Sequence, residues 1–192
     1  MDTLLISLFA SLEKVHPMSP GLKLLLTEKV VRIELEKGEL LLTAGMPCHH
    51  VYYIVDGFLR CYFIKNGNEV TAWMKMENDI ATAVLSYYGK LPNEYYIQAL
   101  RGSVLYAISE SDLEHACELY PEFYKIRVKL MEFYYCEAYQ RIHGLLSMNA
   151  ADRHSHFKEH WPSLYKIIPQ RYIASMLGLA RETITRRRKQ LR

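Results

Sequence analysis

The sequence lacks the features that mark several large classes of protein. Its four cysteines, Cys48, Cys61, Cys117 and Cys136, form no Cys-x-x-Cys pair and have no structural zinc spacing. No apolar run approaches the roughly 20 residues of a membrane span. The apolar stretch at 3–12 lacks the basic start and cleavage site of a signal peptide. We therefore expect a cytoplasmic protein with reduced thiols, no metal and no cofactor, away from membranes.

Acidic residues are nearly absent from the C-terminal end. Residues 166–192 contain eight basic residues and one acidic residue, Glu182, which gives a net charge of +7. The whole chain has 24 basic and 21 acidic residues, so residues 1–165 have 16 and 20, a net charge of −4. An acidic body with a basic end indicates a polyanionic partner at that end, although a solvated basic tail has the same composition.

The apolar pattern predicts two helices followed by a run of short strands. The helices are expected at 3–15 and 19–27, the second with Ser19 as N-cap and Pro20 in its first turn. Seven segments rich in β-branched and aromatic residues follow at 30–35, 40–43, 51–55, 58–64, 70–76, 95–100 and 104–108. Turn signals such as Asn66-Gly67 separate them. This spacing predicts an all-β sandwich or barrel.

Helical periodicity returns after this region. Ser109 or Ser111 can cap a short helix, and Pro121 can open a long one that runs to about residue 148. At 1.5 Å per residue this helix is a rod of roughly 40 Å. Such a rod packs on its own barrel or pairs with a second copy as a coiled coil, although Glu137 and Gln140 interrupt its apolar repeat.

Segment 169–191 has the pattern of a helix-turn-helix. Pro169 suits the start of the first helix, and Ile173 and Leu177 lie one turn apart on its buried face. Gly178 ends the helix and allows the positive φ of a tight turn. These features together predict the first helix and the turn of a DNA-binding module.

The second helix of this pattern begins near Ala180 or Arg181 and buries Ile184 and Leu191. Its remaining side chains suit base edges and phosphates. With two residues of the first helix, they make up the predicted DNA-binding set: Gln170, Tyr172, Arg181, Glu182, Thr183, Thr185, Arg186, Arg188 and Lys189. The alternative is a basic amphipathic helix in which Glu182 and Arg186 form a supporting pair one turn apart.

The run Arg181-Glu182-Thr183-Ile184-Thr185-Arg186 resembles the recognition helix of the Crp/Fnr family, the regulators related to the cyclic-AMP receptor protein and the fumarate-nitrate reductase regulator. The family's sequence there is Arg-Glu-Thr-Val-Gly-Arg. Lys37-Gly38-Glu39 resembles the opening hairpin of its barrel, and Tyr53-Ile54-Val55-Asp56-Gly57 resembles a later strand and turn. The order of barrel, long helix and helix-turn-helix is also the family's order.

The resemblance implies an α+β fold with an N-terminal double-stranded β-helix, or jelly roll, of the cyclic-nucleotide-binding type. It implies a sensor domain at 1–120, a dimerisation helix at 121–148 and a helix-turn-helix domain at 149–192. It further implies a homodimer on a near-palindromic double-stranded DNA operator, with RNA polymerase as a candidate partner. Arg181, Glu182 and Arg186 match the family's base-reading residues.

The DNA-binding segment departs from the family at two positions. Ala180 stands where the family usually has a serine N-cap, so a capping bond of about 1 kcal/mol is lost. Arg187 stands at a position that is usually apolar. Because the sequence ends soon after this helix, we also expect little or no wing.

The family's cyclic-nucleotide cassette is degenerate in this sequence. The family has Gly-Glu and, ten residues later, Arg-Ser/Thr-Ala, which hold the ribose and the phosphate. An ungapped alignment places Thr82-Ala83 and Asn93-Glu94-Tyr95 at these positions. Because Glu94 repels a phosphate and no arginine balances its charge, we expect no binding of cyclic AMP.

The remaining lining of the predicted effector pocket is aromatic and includes Trp73, Tyr87 and Tyr88. Aromatic side chains can form a ligand box, but they also pack together as ordinary core. The pocket therefore holds either an unknown small-molecule effector or its own side chains.

Two other interpretations were weighed against a regulator. A sensor-like binding module could use its basic end on a protein or an anionic membrane, but a membrane helix needs more apolar residues than Ile184 and Leu191. A cupin-like enzyme needs converging histidines, whereas His49 and His50 are adjacent and point to opposite faces of a strand. We therefore expect no enzyme activity. The histidines of 154–160 are interpreted as a solvated helix face.

Overall fold

The computed structural model describes residues 3–179. Within this range two helices precede the strands and five helices follow them, with one short helix between the strands. The first part comprises α1 (Thr3–Glu13), α2 (Pro20–Lys29), β1 (Val31–Leu35), β2 (Leu40–Leu42), β3 (His50–Asp56), β4 (Phe58–Lys65), β5 (Asn68–Met76), β6 (Ile80–Ala81) and α3 (Val84–Tyr87). The second part comprises β7 (Tyr96–Ala99), β8 (Ser103–Ser109), α4 (Glu110–Leu119), α5 (Pro121–Ser147), α6 (Ala150–His160), α7 (Pro162–Ile167) and α8 (Gln170–Met176).

The strands form two four-stranded sheets, in the orders β1-β8-β3-β6 and β2-β7-β4-β5. Strand β8 pairs antiparallel with both β1 and β3, which places Ala107 beside Val31 on one side and Tyr52 on the other. Eight strands divided in this way between two sheets form the jelly-roll type of β-sandwich. The predicted α+β class with an N-terminal β-sandwich is confirmed.

Glycines close the two hairpins next to β4. Asn66 and Gly67 have φ values of 51° and 75°, the positive pair that a two-residue type I′ turn requires. Gly57 has a φ of 139°, and a side chain there would overlap Ser103. The Ser103 hydroxyl accepts a bond from the Phe58 amide at 3.2 Å and donates to the Arg101 carbonyl at 2.8 Å. The turn between β3 and β4 is therefore fixed by close packing.

The described chain divides into two compact units. The first comprises the chain up to Cys61 together with Met74–Glu132, and its core includes Leu22, Ile54, Leu59, Leu105 and Ile126. The second comprises Tyr62–Trp73 and the chain from Phe133 onward, and its core includes Phe157, Ile168, Ile173 and Ala174. Each unit thus has its own buried apolar residues.

Ser19 performs the capping role that the sequence predicts. Its hydroxyl oxygen accepts a bond from the Leu22 amide at 3.3 Å and donates to the Glu122 carboxylate at 2.6 Å. The bond from Ser19 is the main reason that the pKa of Glu122 lies below its usual value. One hydroxyl therefore caps α2 and holds the first turn of α5.

We expect Ser19→Ala to lower the free energy of unfolding by about 1 kcal/mol through loss of the cap alone. Glu122 contributes stability that is present above its unfolded pKa and is lost as the pH falls through its lowered folded pKa. The difference between wild type and variant should therefore shrink at acidic pH. Urea unfolding at neutral and acidic pH measures both effects. Ser147→Ala, which removes an exposed hydroxyl bonded to a carbonyl of its own helix, should change little.

Helix α4 begins with a second side-chain cap. Ser109 accepts a bond from the Asp112 amide at 3.1 Å and donates to its carboxylate at 2.6 Å. This bond and the ion pair with Lys29 keep the pKa of Asp112 below its usual value. The choice between Ser109 and Ser111 left open by the sequence is thus settled for Ser109, because it directly precedes the helix.

Candidate functional site

Helix α8 has the geometry that the sequence predicts for the first helix of a helix-turn-helix. Ile173 and Ala174 are buried on its inner face. At its end the Leu179 amide bonds to the Ala174 carbonyl at 2.8 Å, and the Gly178 amide bonds to the Ser175 carbonyl at 3.2 Å. This pair of bonds is a Schellman motif, and its left-handed residue is Gly178, with a φ of 65°. The helix therefore stops sharply at the predicted glycine.

Two arginines satisfy the carbonyl groups at the end of α8. Arg153 donates to the Leu177 carbonyl at 2.9 Å and also to the Met148 carbonyl at 2.6 Å. Arg141 donates to the Met176 carbonyl at 3.0 Å. The last carbonyls of a helix have no partner within the helix, so these bonds hold the turn in place. Both basic side chains are thus used in hydrogen bonds that stabilise the fold.

A serine of α8 bonds to the backbone of strand β5. The Ser175 hydroxyl accepts a bond from the Thr71 amide at 2.8 Å and donates to the Glu69 carbonyl at 3.2 Å. Strand β5 is the last strand of its sheet. The tip of the β4–β5 hairpin and α8 thus form a single hydrogen-bonded assembly within the second compact unit.

The predicted DNA-binding residues divide between described and undescribed parts of the chain. Gln170 and Tyr172 lie on α8 and are half-buried. The guanidinium of Arg171 lies 4.7 Å from the centre of the Tyr172 ring and donates to its hydroxyl at 2.9 Å. The other predicted residues lie outside the described range: Arg181, Glu182, Thr183, Thr185, Arg186, Arg188 and Lys189.

The side chains of two predicted effector-pocket residues form hydrogen bonds with backbone groups. The Thr82 hydroxyl donates to the His50 carbonyl at 3.0 Å. The buried Asn93 side chain donates to the carbonyls of Thr43 and Tyr95, both at 2.8 Å, and accepts from the Tyr95 amide at 3.0 Å. The side chain therefore holds the segment between α3 and β7 and joins it to the segment between β2 and β3.

The other predicted pocket residues differ in exposure. Ala83 is buried directly before α3, whereas Glu94 is exposed and Tyr95 is half-buried. Trp73 lies on β5 in the second compact unit and is half-buried. Among the polar positions of the cassette, Thr82 and Asn93 thus bond to backbone groups, and Glu94 is exposed.

Two tyrosines on and after α3 form the aromatic part of the predicted pocket. The rings of Tyr87 and Tyr88 meet edge to face with centres 4.7 Å apart. Burial is the main cause that raises the pKa of each phenol, and the positive charge of Arg127 on α5 opposes this effect. Tyr87 is 1% exposed, and its hydroxyl has no hydrogen-bond partner in the described part of the chain.

Helix α5 presents a stripe of exposed residues along its length. Phe123 and Ile126 in its first turns are buried. The exposed stripe recurs at alternating steps of four and three residues, the period of a coiled coil. It comprises Tyr124, Val128, Met131, Tyr135, Ala138, Ile142 and Leu145, and we call it the α5 stripe. Glu137 and Gln140, which interrupt the apolar repeat in the sequence, do not belong to this stripe.

The histidines of α6 have local partners. His154 is buried, and its ring nitrogen lies 3.1 Å from the Tyr165 hydroxyl. His156 and His160 stack with ring centres 3.9 Å apart. Within residues 3–179, no group of three metal-ligating side chains is close enough to hold an ion. His154 therefore departs from the expected solvated face, because Tyr165 on α7 and the core cover it.

Comparison with known proteins assigns the β-sandwich. The family model of the cyclic nucleotide-binding domain matches residues 32–120. These residues are thus similar to a cyclic nucleotide-binding domain, and we use that name for 32–120 below. The domain includes all eight strands except the first residue of β1, together with the pair Tyr87 and Tyr88. No curated protein matches the chain's sequence at a significant level.

Solved structures share the fold of this domain together with the helices around it. FixK2 from Bradyrhizobium japonicum aligns with a TM-score of 0.70 at 18% identity, covering 84% of each chain. The c-di-GMP responsive regulator CLP of Xanthomonas campestris aligns with a TM-score of 0.70 at 15% identity, covering 90% of this chain and 91% of its own. The catabolite activator protein of Thermus thermophilus aligns with a TM-score of 0.58 at 18% identity, covering 92% and 84%.

A further neighbour, a putative transcriptional regulator of the Crp/Fnr family from Eubacterium rectale, aligns with a TM-score of 0.69 at 21% identity, covering 91% of this chain and 84% of its own. The predicted resemblance to that family is confirmed at the level of the fold. Among the described helices, none is long and apolar enough to cross a membrane. At 15–18% identity, the three likenesses reported above establish the fold of the chain.

Sequence reasoning missed the arginines that act within this arrangement. Arg127 lies 39 residues beyond Tyr88 in the sequence, and no motif links the two positions. Arg141 and Arg153 resemble ordinary surface charges on helices until their carbonyl partners are known. The sequence pattern does not show that Arg127 bonds to Cys117, or that Arg141 and Arg153 bond to the end of α8.

Proposed function

We propose that this chain is a sequence-specific DNA-binding transcription regulator that acts as a homodimer. The observation that carries the proposal is the Schellman turn at Gly178, which ends α8 directly before the basic segment. A helix that stops at a left-handed glycine and is followed by a basic helical pattern is the arrangement of a helix-turn-helix. Its second helix then enters the major groove.

The proposed recognition residues follow from their chemistry and from the family pattern. Arg181 and Arg186 can pair with guanine through two hydrogen bonds each, and Glu182 can accept a bond from cytosine. Thr183 and Arg188 suit phosphate contacts, which set the register of the protein on the duplex. The net charge of +7 over residues 166–192 favours this end of the chain for DNA.

The α5 stripe supports the homodimer. Tyr124, Tyr135 and Ile142 are 62%, 71% and 55% exposed, although large apolar side chains normally avoid water over such a length. A parallel pair of α5 helices would bury both stripes as a coiled-coil seam. Two recognition helices related by this symmetry would meet successive major grooves about 34 Å apart, on a near-palindromic site.

We assign the three parts of the proposed regulator as the sequence predicts them. The sensor domain is 1–120, the dimerisation helix is 121–148 and the DNA-binding domain is 149–192. The assignment is supported by the match of the cyclic nucleotide-binding domain to 32–120 and by the bounds of α5, Pro121–Ser147. The proposal includes an unknown small molecule that binds the sensor domain as its effector.

Selection of duplexes from a random DNA pool tests the function directly. The purified full chain is expected to enrich a near-palindromic motif whose half-sites are one helical turn apart. A motif without internal symmetry would contradict the homodimer, and no enrichment would contradict ligand-free sequence-specific binding. A second selection in the presence of cell extract metabolites then separates a regulator that needs an effector from a chain that does not read DNA.

We expect cyclic AMP to leave the thermal unfolding midpoint and DNA affinity of the chain unchanged. The positions that would hold the phosphate contain a fully bonded Asn93 and an exposed, anionic Glu94. Neither can replace an arginine that pairs with a phosphate. Differential scanning fluorimetry with cyclic AMP, and with AMP as control, measures the first quantity. A saturable rise in the midpoint with cyclic AMP alone would show that the cassette binds in another way.

A further inference from the structure

The C-terminal end of α8 is held by the second half of α5. The guanidinium of Arg141 donates to the Met176 carbonyl at 3.0 Å, across 35 residues of sequence. A Cβ atom placed on Gly178 would lie 3.9 Å from the Leu145 side chain, so the turn after α8 also packs against α5. All of these residues belong to the second compact unit. One helix therefore contacts both the last turn of α8 and the glycine that follows it.

The hydrogen bond from Arg141 is of a kind that fixes a position. A guanidinium is a rigid, planar group of donors, so it loses less conformational freedom for each bond than a flexible ammonium does. The side chain is half-buried, which reduces competition from water for the Met176 carbonyl. A cation at the carboxyl end of a helix also interacts favourably with the helix dipole. Helix α8 therefore cannot move along α5 without losing this contact.

The same part of α5 contributes to the α5 stripe. Leu145 is the last residue of the stripe, and Ile142, the residue after Arg141, also belongs to it. In the proposed homodimer of parallel α5 helices, the stripe follows the two-fold axis. One helical turn would thus meet the second protomer on one side and hold α8 on another. The contact from Arg141 would therefore fix the distance between this axis and the turn at Gly178.

We propose that Arg141 is a positioning residue that sets the separation of the two DNA half-sites read by the homodimer. The inference rests on the proposed function, because it concerns the placement of the same recognition residues. Arg181 and Arg186 follow Gly178 by three and eight positions in the sequence. A displacement of the turn therefore displaces the segment that contains both. The two-fold axis doubles the effect of this displacement on the separation of the half-sites.

The separation of the half-sites is sensitive to small displacements. Neighbouring base pairs lie about 3.4 Å apart along the duplex. A displacement of about 1.7 Å in each protomer would therefore change the preferred separation by one base pair. Hydrogen bonds from nitrogen to oxygen span only about 2.7–3.2 Å, so an intact Arg141 contact is accurate enough to distinguish the two separations.

Duplexes that differ only in the separation of their half-sites test the inference. The half-sites are those that the full-length wild-type chain selects, and their separation is changed by one base pair in each direction. Wild type is expected to prefer the selected separation about tenfold or more, because a displaced half-site loses base contacts. Arg141→Gln shortens the side chain and removes its charge. This variant should remain a dimer, but its preference should fall to about threefold or less.

Two further variants separate positioning from a general effect on the fold. Arg141→Lys keeps the charge but lacks the rigid group of donors, so its preference should lie between those of wild type and Arg141→Gln. Arg127→Gln removes an arginine of the same helix whose guanidinium donates to the Cys117 sulfur at 3.3 Å, and it should keep the wild-type preference. A variant that is only less stable binds all the duplexes more weakly by the same factor. Thermal unfolding and sedimentation measure whether each variant is folded and dimeric, and Arg141→Lys is decisive if Arg141→Gln does not fold.

Hydrogen exchange of the Gly178 and Leu179 amides tests the contact in the absence of DNA. Arg141→Gln is expected to speed this exchange, whereas Arg127→Gln should leave it unchanged. Wild-type exchange in Arg141→Gln, or a wild-type preference in a folded, dimeric Arg141→Gln or Arg141→Lys protein, overturns the inference and leaves the proposed function intact. An equal loss of preference in Arg127→Gln overturns it as well. A wild-type chain that selects no symmetric motif instead contradicts the proposed function, and the inference fails with it.

Discussion

Arg181→Ala and Arg186→Ala are expected to abolish recognition of the selected DNA motif. A side chain that pairs with a base through two hydrogen bonds contributes about 1–3 kcal/mol of discrimination. A homodimer loses this contribution in both half-sites, about 2–6 kcal/mol in all, so the affinity for the motif should fall by about thirtyfold to twenty-thousandfold. Fluorescence anisotropy with the selected duplex and a scrambled duplex measures the ratio of the two affinities.

Arg188→Ala is the control for this prediction. A phosphate contact has no sequence information, so its loss should weaken binding to the selected and the scrambled duplex alike. It should also reduce the dependence of affinity on salt concentration by about one counterion per half-site. If Arg181→Ala behaves in the same uniform way, Arg181 does not read a base, and the recognition surface must lie elsewhere.

Ile142→Asp is expected to convert the dimer into a monomer. Ile142 is 55% exposed in the single chain, so an aspartate there costs little in a monomer. In a coiled-coil seam the same aspartate would meet its own copy in a desolvated position, where two like charges repel and have no partner. Sedimentation equilibrium should show twice the 22.5 kDa mass for wild type and the single mass for the variant.

Gln140→Asp introduces the same charge two residues earlier on α5. Gln140 is also exposed but lies off the α5 stripe, so this variant should remain a dimer. Loss of the dimer should also lower DNA affinity strongly, because one half-site contributes only part of the total binding energy. A wild-type chain that sediments as a monomer, or an Ile142→Asp dimer, would contradict the seam.

The fold was predictable where local chemistry is strong. Ser19, Pro121 and Asn66-Gly67 each specify a helix start or a turn through their own backbone preferences, and the structure has all three. The seven predicted strands are also present with shifts of one or two residues at their ends. These preferences depend only on neighbouring residues in the sequence, so the corresponding caps, turns and strands can be predicted without the structure.

The elements that the sequence did not reveal are short. Strand β6 has two residues and helix α3 has four, too few to show a period of two or of 3.6. Helix α7 has six residues between Trp161 and Ile168. Each of these elements is fixed by its packing and hydrogen bonds to distant parts of the chain, as when β6 pairs with β3.

Only some of the residues around the predicted effector pocket could be found from the sequence, because the others depend on contacts with distant parts of the chain. Tyr87 and Tyr88 follow the degenerate cassette, so a family alignment draws attention to them. The positive charge of Arg127 on α5 opposes the rise of the pKa of both phenols, and no local pattern links these positions. Asn93 shows the opposite case, because the alignment placed it at a ligand position while its side chain holds the backbone around Tyr95.

The bonds from Ser175 to β5 have a consequence for solubility. A strand at the end of a sheet exposes amide and carbonyl groups that can pair with a strand of another molecule, which is a common route to aggregation. Ser175 occupies one amide and one carbonyl of this edge, at Thr71 and Glu69. Helix α8 thus shields the hairpin from unwanted strand pairing. A shortened chain that ends before α8 would therefore lose its protection against self-association together with its proposed DNA-binding module.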